Sequence, residues 1–70
     1  MTVRDYRISL GWSVSELSRR SGLAIKTINR IEDGQPVYDY TLGAVARAFS
    51  EALGRTVTID DFEGAKIIRS

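Results

Sequence analysis

The sequence predicts an all-α fold, five short helices in one unit of 70 residues. Three observations predict it. Apolar residues recur at three- and four-residue spacing through most of the chain, the period of a helical face. Glycines stand where these patterns stop, at positions 11, 22, 34 and 54. The one stretch that alternates polar and apolar residues, Thr56-Val57-Thr58-Ile59, is isolated, and a lone short strand has no partner in an all-helical monomer.

The first helix spans residues 3–10, where Val3, Tyr6, Arg7 and Leu10 share a face, and Gly11 ends it. The second spans 14–20. Ser13 to Glu16 reads Ser-x-x-Glu, a capping box, and Trp12 stands before the cap with Leu17 at the fourth helical position, the spacing of a hydrophobic staple. Gly22 supplies the left-handed conformation of a sharp exit. The third helix spans 25–33, with Ile28 and Ile31 toward the core and Leu23 placed to staple Ile28. Its start is weak, because Ala24 has no side-chain oxygen to cap with. Pro36 makes residues 35–40 a loop. Thr41 caps a fourth helix, 42–53, whose apolar positions are Leu42, Val45, Ala46, Phe49 and Leu53. Residues 56–59 form an extended connection anchoring Val57 and Ile59, with strand pairing across a dimer as the alternative. Asp60 caps a last helix, 61–66, anchored by Phe62.

Composition narrows the function. Seventy residues make a single domain, 1–70, and one so small buries only about 60% of its unfolded surface. Dimerisation would relieve that, and the apolar tail (Val57, Ile59, Phe62, Ile67, Ile68) is a motive for it. The chain has no cysteine and no histidine, which removes thiolate metal sites, the commonest general base and the commonest metal ligand. No cofactor or metal is expected. Asp60, Asp61 and Glu63 cluster and read as a dipole-favoured helix start, not an active site, so an enzyme is not expected. Apolar runs fall far short of the ~20 residues of a membrane helix, and residues 1–5 lack a signal-peptide core. A cytoplasmic protein is expected. Residues 1–30 carry six basic and two acidic side chains, and residues 31–70 four basic and seven acidic ones. One half suits a polyanion and the other avoids it.

The spacing of the second and third helices is tight. In a twenty-residue unit counted from Val14, Leu17 is fourth, Ser18 fifth, Gly22 ninth, Leu23 tenth, Ile28 fifteenth and Ile31 eighteenth. The fifth position faces the other helix and must be small, the ninth must turn, and the rest fill the wedge between two helices, so the unit is a helix-turn-helix. Around it stand Arg7, then Leu10-Gly11-Trp12-Ser13-Val14-Ser15-Glu16-Leu17, then Gly22-Leu23, then Thr27-Ile28-Asn29-Arg30-Ile31-Glu32-Asp33-Gly34. Over roughly residues 3–63 the chain resembles the Cro/repressor-type (XRE, lambda-repressor-like) helix-turn-helix family. The resemblance implies five packed helices, sequence-specific DNA binding, usually as dimers, and an ion pair between Arg7 and Glu32 tying the first helix to the recognition helix. The chain departs from the family pattern at Val14, where glutamine is frequent, at Ala24, where Ser or Thr caps, and at Ser18, where alanine is usual.

With Ile28 and Ile31 inward, the outer face of the third helix carries Ile25, Lys26, Asn29, Arg30 and Asp33. In the family's docking mode this face enters the major groove. Arg30 matches guanine, Asn29 adenine or a phosphate, Ile25 a thymine methyl, and Lys26 guanine or a phosphate. The competing readings are a solvated face for Lys26 and Arg30 and packing on Leu23 or the second helix for Ile25. Expected backbone contacts are Ser13, Val14 and Ser15 at the start of the second helix, Ala24, Thr27 and Asp33 on the third, and Tyr38, Tyr40 and Thr41 beyond it, the tyrosines being either phosphate donors or core. The expected partner is a pseudo-palindromic double-stranded operator bound by a homodimer, most simply in repression. The alternative is a protein-interaction module on the same fold, such as the antitoxin of a toxin-antitoxin pair, or one whose partner is RNA polymerase.

Overall fold

The computed structural model describes residues 1–69. Four α-helices occur in the order α1 (Val3–Ser9), α2 (Val14–Ser21), α3 (Ile25–Glu32) and α4 (Asp39–Leu53). A two-residue strand, β1 (Val37–Tyr38), precedes α4. A 3-10 turn (Ile59–Asp61) and a second short strand, β2 (Ile67–Ile68), follow it.

Caps explain most boundaries. Thr2 caps α1 in a full capping box with Asp5, each side chain accepting from the other's backbone N–H at 3.0 Å. The backbone bond from Thr2 holds the Asp5 carboxyl below its usual range. Ser13 caps α2 by accepting from the Glu16 N–H at 3.0 Å, but the expected reciprocal bond is missing: Glu16 turns instead to Arg19 and Arg20. Those partners, Arg20 first, hold its carboxyl below its usual range. Gly22 ends α2 at φ +77°, left-handed as expected. Ala24 makes no side-chain cap to α3.

One boundary, one missing helix, one exposed side chain and one strand pair correct the sequence expectation. First, α4 starts at Asp39, not at residue 42, so Thr41 lies inside its first turn. The Asp39 carboxylate accepts from the Tyr40 N–H at 2.8 Å and suits the positive end of the helix. Second, the fifth helix does not form. Thr58, not Asp60, caps the 3-10 turn in a box with Asp61, Phe62 is extended at φ −93° and ψ 105°, and Gly64 at φ +73° breaks any helix over 61–66. Third, Leu53 lies at the exposed end of α4 rather than in the core. Finally, the fold is not purely helical. β1 and β2 pair in parallel, Val37 with Ile67 and Tyr38 with Ile68. Of the connection expected to be extended over residues 56–59, residues 56–58 are extended with Val57 buried, while Ile59, half-buried against the core, already opens the 3-10 turn.

The core sits between α4 and the other helices. Phe49, Leu17, Ile28, Leu42 and Val45 are its largest fully enclosed side chains, each contributing about 1.5–3 kcal/mol by leaving water. Phe49 stacks on Tyr6 with ring centroids 5.2 Å apart and meets the edge of Phe62 at 5.9 Å. Ser50 closes the base of this core, its hydroxyl accepting from the Val57 N–H at 2.8 Å and holding the extended connection against α4.

Candidate nucleic-acid interface

The α2–α3 corner is set by a few contacts. Leu17 and Ile28 are fully enclosed between the helices. Ser18 does more than be small: its hydroxyl donates to the Leu23 carbonyl and closes the turn. That bond was not legible from the spacing, although a serine where alanine serves was its signal.

The tilt of α3 is fixed at its far end. Arg7 Nε and Nη2 donate to the two carboxylate oxygens of Glu32 at 2.7 and 3.0 Å, and Nη1 donates to the Trp12 carbonyl at 2.9 Å. The two side chains are only 12% and 10% exposed. The bonds to Glu32 raise the Arg7 pKa above its ordinary value. One guanidinium therefore joins α1, the entrance to α2 and the exit of α3.

With Ile28 and Ile31 buried, the opposite face of α3 is open. Ile25 (47% exposed), Lys26, Asn29, Arg30 and Asp33 all lie on it, and Thr27 is half-buried beside them. Ile25 is thus not packed away on Leu23. Arg30 Nη2 donates to the Pro36 carbonyl at 3.3 Å, so its guanidinium lies along the loop toward β1. Asp33 is the C-cap, an anionic side chain at the far end of the face.

The remaining candidates divide. At the start of α2, Ser13 and Ser15 are exposed, while Val14 is half-buried and packs against the core. Ala24 is exposed and Thr41 half-buried. Neither tyrosine lies in the expected loop or in the core: Tyr38, in β1, and Tyr40, in the first turn of α4, are exposed and stack on each other at 5.3 Å, nearly parallel at 11°. Arg19 and Arg20 are engaged with Glu16, and Arg20 also lies over the Trp12 ring at 4.6 Å. The acidic cluster is dispersed in use. Asp61 accepts from the Thr58 N–H, and Glu63 pairs with the N-terminal ammonium at 2.9 Å.

This arrangement presents one helix with a fixed inner side and an outer side of mixed donors, acceptors and an apolar contact. Its width suits a groove, since a major groove about 12 Å wide admits an α-helix. A family model described as helix-turn-helix matches residues 3–59. No curated protein and no solved structure matches the chain. No helix among the described residues is long and apolar enough to cross a membrane.

Proposed function

From the premise that the chain belongs to the Cro/XRE-type helix-turn-helix family of DNA-binding proteins, we propose that it is a sequence-specific transcriptional regulator, a repressor acting as a cytoplasmic homodimer, with α3 in the major groove. The observation that carries this reading is the open outer face of α3, braced from behind by the Arg7–Glu32 pair.

In this reading Arg30 takes guanine O6 and N7, Asn29 takes adenine or a nearby phosphate, Ile25 meets a thymine methyl, and Lys26 reaches guanine or a phosphate. Each bidentate pair is worth about 1–3 kcal/mol of base discrimination. The free N–H groups at the start of α2 and the hydroxyls of Ser13, Ser15, Thr27, Tyr38 and Tyr40 hold phosphates and set the register without specifying sequence. A homodimer places two copies of α3 about one helical turn apart, so the operator is a pseudo-palindrome.

A salt series separates DNA binding from a protein-interaction role. The expected result is a linear fall of log affinity with log salt on the preferred duplex, its slope set by the phosphates neutralised. Absence of salt-dependent binding to any duplex contradicts the reading and favours a protein partner.

A further inference from the structure

The β1–β2 ribbon brings the C-terminal segment to the edge of the α3 face. Arg30 Nη2 donates to the Pro36 carbonyl at 3.3 Å, and the next residue, Val37, donates its N–H to the Lys66 carbonyl at 3.0 Å. The parallel register then pairs Tyr38 with Ile68. Successive residues of a strand point to opposite sides. Val37 is buried and Ile67 packs against the core, which places Tyr38, Lys66 and Ile68 together on the solvent side, all three exposed.

We propose that this ribbon face is a second DNA-backbone site, in which the Lys66 ammonium, on the same exposed face as Tyr38, takes a phosphate flanking the base read by Arg30. The ligand is the phosphodiester backbone of the same duplex, so the assignment rests on the DNA-binding reading above. A lysine suits the place because it acts as a point charge on a flexible stem, needing no fixed fork geometry. Tyr38 supplies a neutral hydroxyl donor on the same face. Because the contact is to the backbone, Lys66 adds affinity and register but no base preference.

The test is a salt series with the full chain, its Lys66→Gln and Lys66→Arg variants, and Arg55→Gln as a control beyond the far end of α4, a helix about 22 Å long. Lys66→Gln is expected to weaken binding equally on preferred and mutated duplexes and to reduce the log–log slope by about 1. Lys66→Arg is expected to keep the slope, and Arg55→Gln to leave it unchanged. Thermal melting of Lys66→Gln should match the parent, because the strand pairing uses the backbone and the side chain is exposed. An unchanged slope in Lys66→Gln, an equal loss in Arg55→Gln, or a changed base preference overturns the assignment. If the parent itself binds DNA without salt dependence, the DNA-binding reading fails. If the parent slope is steep and Lys66→Gln preserves it, only the ribbon site fails.

Discussion

Arg7 braces the candidate interface from behind. Its guanidinium spends three N–H groups on two Glu32 oxygens and one carbonyl, at the point where α1, α2 and α3 converge. Removing it leaves a carboxylate that is one-tenth exposed without a partner. Arg7→Ala is therefore expected to cost about 3 kcal/mol of stability, read from the urea midpoint. The double variant Arg7→Met/Glu32→Leu should lose much less, because no uncompensated charge remains. A loss in the double variant as large as in the single one would show that packing, not the stranded charge, dominates. The pairing itself came from the family resemblance. The third bond, to the Trp12 carbonyl, has no sequence signal, since any residue offers a carbonyl there.

At the scale of elements, α2 and α3 were legible because their signals are local. Ser13 precedes a first turn with Glu16, Gly22 marks the exit, and Ile28 and Ile31 repeat at helical spacing. The same locality explains the errors. Asp39 starts α4 two residues before the expected cap and accepts from the Tyr40 N–H, a weaker sequence signature than a threonine followed by an apolar run. The expected fifth helix fails at Gly64, whose left-handed backbone interrupts any helix through residues 61–66. The start of α3 is the unfinished boundary: Ala24 has the extended backbone of a cap, φ −65° and ψ 149°, but no side-chain bond. Ala24→Ser is expected to add the missing acceptor and raise stability by about 1 kcal/mol, with an unchanged denaturant slope. No gain in the urea midpoint would mean that water already satisfies those N–H groups.

Across the whole molecule, the charge division read along the chain changes when the chain folds. Residues 31–70 are acidic in sum, yet the β1–β2 pairing carries Lys66 back to the loop that leaves α3. Two short strands thirty residues apart leave no periodic trace, so neither the pairing nor the place of Lys66 was visible in sequence. In the other half, Arg19 and Arg20 count toward the basic balance but are turned to Glu16 and Trp12. What remains exposed on the α3 face is Lys26 and Arg30, with Ile25 and Asn29 alongside them.

Selection of bound duplexes from a random library, by the parent chain and by Arg30→Ala in parallel, tests the reading of DNA by this face most directly. The expected result is a two-half-site preference in the parent that relaxes at one base pair in each half-site in the variant, with the other positions kept. A uniform loss of affinity with every preference intact would contradict it and reduce Arg30 to a phosphate contact.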